Sequence, residues 1–107
     1  MSEIKMQIIK LVSSIPEGKI AYFGQIGAEC GVSGQVVGWI LSGMPESEWS
    51  SCPWYRVVSK NGFISSLKLG TKGLIQKQVL LDEGYTLIGD SIDMQKHEIA
   101  DFRVLLG

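Results

Sequence analysis

A mainly helical α/β fold is what this sequence predicts: a single winged helix-turn-helix-like domain with a small β-hairpin wing. Three observations predict it. Three capped helical segments follow one another before residue 43. A strong turn signal, Asn61-Gly62, then separates two short extended runs. The 107 residues suit one domain with a modest core. Helix, helix, helix and then hairpin is the order of that architecture, which places its second short helix in a DNA groove.

Ile4, Ile8, Leu11 and Val12 recur at helical spacing, so residues 3–14 should form an amphipathic helix. Pro16 and Gly18 end it. Lys19-Ile20-Ala21 is a short extended piece. Phe23, Ile26 and Gly27 mark a second helix over 23–30, closed by Gly31. Ser33 caps a third over 34–42. Its apolar side is Val36, Val37, Ile40 and Leu41, and Gly43 ends it. Met44 to Ser51 is a polar connector.

Two strands are expected near 55–59 and 62–65, with Val57 and Val58 entering the core. Leu67 to Gly70 is a glycine-bearing loop. Thr71 should cap a fourth helix over 72–83, packed through Leu74, Ile75, Gln78 and Leu81 and stopped by Gly84. Beyond Tyr85-Thr86-Leu87-Ile88 the signals weaken. A short helix and a docked tail are expected within 92–105. The single domain spans 1–107, with no repeat and no low-complexity tract.

Hydrophobic residues make up 45% and charged residues 20%, a soluble globular balance. No apolar run approaches the roughly 20 residues of a membrane helix. Met1-Ser2-Glu3-Ile4-Lys5 lacks the basic start and apolar centre of a secretory signal. A cytoplasmic protein without membrane contact is expected. Cys30 and Cys52 with the lone His97 cannot build a structural zinc site, which wants four ligands. Both cysteines suit buried small hydrophobes. No metal and no cofactor are implied. The net charge of −1 and pI near 5.7 oppose strong non-specific nucleic-acid affinity, which needs a basic surface.

The run Pro53-Trp54-Tyr55-Arg56-Val57-Val58 is the most informative stretch. It resembles P-C-H-R-V, the active-site motif of the DNA alkyltransferases that repair alkylated guanine. Five further stretches resemble that family in the same order. They are Ile15-Pro16-Glu17-Gly18-Lys19, Phe23-Gly24-Gln25-Ile26, Gln35-Val36-Val37-Gly38, Asn61 to Ser65, and Gln76 to Gly84. The resemblance covers roughly residues 4–95. Tryptophan in place of the acceptor cysteine marks the alkyltransferase-like proteins. These bind O6-alkylguanine in duplex DNA, flip it into a pocket, leave it alkylated and flag it to nucleotide excision repair.

A thiolate nucleophile needs sulfur and a base or positive field beside it. Trp54 and Tyr55, at the cysteine and histidine positions, supply neither, so no catalytic residue is expected. Cys52 could share a face with Trp54 in a β-like segment, but it would lack a partner base. The resemblance implies a lesion pocket of Trp54, Tyr55, Tyr22, Ser65 and Ser66, and DNA contacts from Phe23, Ser33, Gln35 and Arg56. Phe23 stands where the family has a phosphate-rotating tyrosine; it serves either there or simply as a core residue, and adjacent Tyr22 could substitute if the helix start shifts. Gln35 stands where the family has an intercalating arginine on the recognition helix. Glutamine is neutral and shorter, so it cannot fill the vacated stack. Lys60, Lys68 or Lys72 could compensate. The chain is slightly longer than the family pattern near Leu67–Gly70.

Trp39 is helical and could face DNA or a partner, with partial burial the plainer role. Arg56 serves either the scaffold or the DNA backbone. The expected partners are duplex DNA carrying alkylated guanine and nucleotide excision repair proteins, with the protein a monomer. The alternative is a diverged member that acts through protein–protein contacts. A positive face along residues 33–43 would favour DNA; a neutral one would favour protein.

Overall fold

The computed structural model describes residues 3–48 and 51–99. Trp49, Arg103 and the expected tail lie outside the described residues. Helix α1, Glu3–Ser13, buries Ile8, Leu11 and Val12. Strand β1, Ala21–Tyr22, runs directly into helix α2, Phe23–Cys30. Gly31 ends α2 at φ 72°, a left-handed position that glycine adopts freely. Helix α3, Gly34–Ser42, starts from Ser33, whose Oγ accepts from the Val36 N–H at 3.4 Å. These bounds for α2 and α3 agree with those predicted.

The three helices surround one core cluster, to which Cys52, Trp54 and Val57 also belong. Helices α2 and α3 approach closely. A Cβ on Gly34 would stand 2.9 Å from the Gly24 nitrogen. A second cluster holds Ile20, Val58, Ile64, Leu80, Tyr85 and Ile92.

The wing departs from the prediction. Val57–Val58 does form strand β2, and both residues are buried. It pairs parallel to β1, Ala21 with Val57 and Tyr22 with Val58, and not with residues 62–65. The Asn61-Gly62 turn is real. Gly62 has φ 90°, Ser59 N–H donates to the Phe63 carbonyl at 3.0 Å, and Asn61 Oδ1 accepts from the Phe63 N–H. Past the turn, Phe63 bridges to Ser91 and Ile64 N–H donates to the Asp90 carbonyl. Ile64 is fully buried in the second cluster, and reaching it takes the chain away from β2. Residues Ser65–Leu69 then wind into a 3-10 helix, not a strand and open loop. The antiparallel hairpin forms further on, between β3, Leu87–Ile88, and β4, Ser91–Ile92.

Helix α4, Thr71–Asp82, packs through a different face from the one predicted. Gly73, Gln76 and Leu80 are buried, while Leu74 and Leu81 are 64% and 46% exposed and Gln78 is exposed. The cause is a close approach. A Cβ on Gly73 would lie 2.2 Å from Leu67 Cα, so the helix lies with glycine against the Ser65–Leu69 turn. Thr71 is the first helical residue and Gly70 holds the cap position, so the predicted threonine cap is absent.

Helix α5, Met94–His97, is short. Buried His97 accepts from the Thr86 N–H through Nε2, so Nδ1 carries the proton and donates to the Gly18 carbonyl at 2.8 Å. Among the described residues no helix is long and apolar enough to cross a membrane. None of their His, Cys, Asp and Glu side chains cluster in a way that could hold a metal ion.

Candidate nucleic-acid interface

A cavity of about 610 Å³ opens between α3, the Ser65–Leu69 turn and the start of α4. Helix α3 lines it with Gln35, Gly38, Trp39 and Ser42. That i, i+3, i+4, i+7 spacing places all four on one helix face. Phe23 from α2 and Trp54 complete the aromatic lining. Trp54 is the most deeply buried of the three aromatics, at 6% exposure, and Trp39 the most open, at 65%.

Three lysines reach the cavity, Lys60, Lys68 and Lys72, and among the described residues no Asp or Glu lines it. In a chain of net charge −1 this is a marked local excess of cation. Lys72 Nζ donates to the Ser42 carbonyl at 2.9 Å and the Leu41 carbonyl at 3.3 Å. Burial lowers its pKa from the ordinary lysine value. These contacts join the end of α3 to the start of α4.

Gln76 holds the inner wall together. Its Nε2 donates to the Tyr55 and Val57 carbonyls, each at 3.0 Å, and its Oε1 accepts from Ser66 Oγ. It is 3% exposed, so its amide satisfies acceptors that water does not reach.

The structure brings Trp54, Ser65, Ser66, Phe23 and Gln35 together around the cavity. Four predicted residues fall elsewhere. Trp54–Arg56 is a 3-10 turn, in which successive side chains point a third of a turn apart. Tyr55 therefore leaves the pocket that Trp54 faces, and its hydroxyl donates to Glu83 Oε2 at 3.0 Å. Burial and that hydrogen bond both raise its pKa.

Arg56 is a scaffold residue. It forks onto both Glu83 oxygens at 3.1 Å and donates to the Ile15 carbonyl at 2.8 Å. Burial pulls its pKa down, yet the Glu83 carboxylate outweighs this and holds it above the ordinary value. Of the two roles expected, scaffold or DNA backbone, these internal contacts are those of the scaffold, and Arg56 is absent from the cavity lining. Tyr22 sits at the N-cap of α2, its ring beside Gly24, and is absent from the cavity lining. Ser33 spends its hydroxyl on capping α3 outside the cavity. Cys52 lies before Pro53 in a segment that is not extended. It is buried away from the cavity, and its burial raises the thiol pKa.

Sequence reasoning missed Gln76 as a contributor and gave partial burial as the plainer role of Trp39, whose side chain is instead exposed at the cavity. Gln76 is a polar residue on the packed face of α4, and that face was misassigned. Trp39 carried a usable signal, since it stands four residues after Gln35 on the same helix. Lys60, Lys68 and Lys72, the cations named from the sequence, all line the cavity.

The fold and this cavity define a small DNA-binding domain of the alkyltransferase kind. Residues 3–85 match the family described as 6-O-methylguanine DNA methyltransferase, DNA binding domain, and the chain belongs to it. It is 34% identical over 94 residues to the DNA base-flipping protein of Escherichia coli (strain K12), covering 85% of this chain and 70% of that one. It is 38% identical over 86 residues to the DNA base-flipping protein of Vibrio parahaemolyticus, covering 78% and 82%. It is 27% identical over 105 residues to alkyltransferase-like protein 1 of Schizosaccharomyces pombe, covering 95% and 94%. The solved structure of that yeast protein in complex with damaged DNA containing O6-carboxymethylguanine superposes with a TM-score of 0.80 at 22% identity. It covers 94% of this chain and 98% of that one, which shows a shared fold.

Proposed function

We propose that this protein binds O6-alkylguanine in duplex DNA by flipping the base into the cavity, and does not dealkylate it. The observation that carries the reading is Trp54. By the family resemblance it stands at the acceptor position, and it lines a cavity whose walls, among the described residues, hold no Cys, His, Asp or Glu. Without a thiolate or a base, the cavity can hold an alkylated base but cannot attack it. Its volume lies within the roughly 300–1,000 Å³ of pockets that hold small ligands. The relatives named as DNA base-flipping proteins and the yeast complex with damaged DNA support the same reading.

One observation favours the protein-contact alternative. Helix α3 carries no charged residue, so the face over residues 33–43 is neutral. The cations lie across the cavity instead, at Lys60, Lys68 and Lys72, and it is these that would attract phosphate. By the family resemblance, a bound lesion is then passed to nucleotide excision repair proteins by a monomeric protein.

The test is a titration with two short duplexes, one carrying a single O6-methylguanine and one plain, at low and moderate salt. Tighter binding to the lesion is expected. Equal, weak and strongly salt-dependent binding would remove the lesion role. Trp54→Ala should reduce lesion affinity by about 1–3 kcal/mol, the worth of base–aromatic stacking, and plain-duplex affinity by less. Equal losses would make Trp54 purely structural. A stoichiometric methyl-transfer assay should show no transfer.

A further inference from the structure

The lesion-binding reading leaves a physical problem. A flipped guanine vacates a purine-sized gap in the stack, and unstacking is costly unless something fills that gap. Gln35, at the position from which the family's arginine intercalates, has no ring and no charge. Yet the same helix face carries a large aromatic one turn further on. Trp39 follows Gln35 by four residues, and both line the cavity.

We propose that Trp39, not Gln35, is the residue that stacks into the gap left by the extruded nucleotide. Three features of the structure support this. The indole is 65% exposed, on a helix whose opposite face, Val37 and Leu41, is buried. Core packing therefore does not account for its size. Its ring N–H has no hydrogen-bond partner among the described residues. Its backbone, by contrast, is firmly held: the Trp39 carbonyl accepts from Gly43 N–H at 3.2 Å and Ser42 Oγ at 3.0 Å.

The chemistry fits the role. Indole is bicyclic, as purine is, and offers two flat faces to the neighbouring base pairs. It stands at the cavity that would receive the flipped base, so wedge and pocket sit on one surface. The lysines at the same cavity would bring the phosphate backbone to it. Gly38, which also lines the cavity, puts no side chain there, and a Cβ added to it would lie 4.0 Å from the Phe23 ring.

This inference rests on the lesion-binding reading, and one experiment separates their failures. Wild type, Trp39→Ala and Trp39→Phe are titrated with a duplex bearing O6-methylguanine, a plain duplex, and the same lesion in single-stranded DNA. If wild type does not prefer the lesion duplex, the reading itself falls, and the wedge with it. If it does, Trp39→Ala should weaken lesion-duplex binding about tenfold or more and Trp39→Phe by less. Binding of the single-stranded lesion, which has no stack to refill, should change by under about threefold. An unchanged lesion-duplex affinity, or equal losses on duplex and single strand, would overturn the wedge. Circular dichroism should show both variants folded, since the side chain is exposed.

Discussion

Lys72 Nζ stands 4.8 Å from the centroid of the Trp54 ring. The same ammonium donates to two carbonyls at the end of α3. One side chain thus braces the cavity wall and places a cation beside its aromatic lining. Lys72→Met keeps the length and removes both effects. Thermal unfolding should show a loss of about 1 kcal/mol, the net worth of such hydrogen bonds. The salt dependence of DNA binding should become shallower by about one phosphate contact. An unchanged salt slope would show that the cation is spent wholly inside the protein.

Gly73 is the point at which α4 meets the Ser65–Leu69 turn. The nearest atoms to an added Cβ are backbone atoms of Leu67 and Ser66, at 2.2–2.4 Å, and backbone cannot rotate aside. Gly73→Ala should therefore destabilise by about 2 kcal/mol or more, despite alanine's better helix propensity. A denaturant midpoint at or above wild type would disprove the contact. Because Ser65 and Ser66 line the cavity, lesion affinity should fall as well.

Tyr85 ties the segment after α1 to the segment after α4. Its hydroxyl donates to the Lys19 carbonyl at 2.6 Å and accepts from the Gly18 N–H at 3.0 Å. Burial pushes its pKa from 10.0 up to about 12. A phenol whose folded pKa is raised stabilises the fold fully below its unfolded pKa. That stability is lost as pH rises through the folded value. Stability should thus decline between about pH 10 and 12, by roughly 2–3 kcal/mol from this group. Tyr85→Phe should be less stable at neutral pH and show a flatter decline, as read from melting temperature against pH.

Gln35→Arg adds a cation at the cavity, one turn before Trp39. Binding to both duplexes should tighten, and the salt slope should steepen by about one. No gain on either duplex would mean that α3 does not meet DNA.

The sequence by itself determined the family and the local structure. Helical spacing, the Ser33 cap and the Gly31 stop depend on neighbours a few residues apart. They placed α2 and α3 at their observed bounds. The Asn61-Gly62 turn was legible for the same reason. The tertiary structure decided what depends on distant partners. Val57–Val58 pairs with Ala21–Tyr22, and no local pattern announces a parallel partner so far along the chain. The face of α4 was chosen by backbone contact at Gly73 and by the buried amide of Gln76, against a hydrophobicity pattern that pointed to Leu74 and Leu81. The site follows the same division. Residue types at the motif show what Trp54 cannot do. Only the 3-10 turn, the Arg56–Glu83 pair and the Lys72 link from α4 to the end of α3 decide which side chains share the cavity with it.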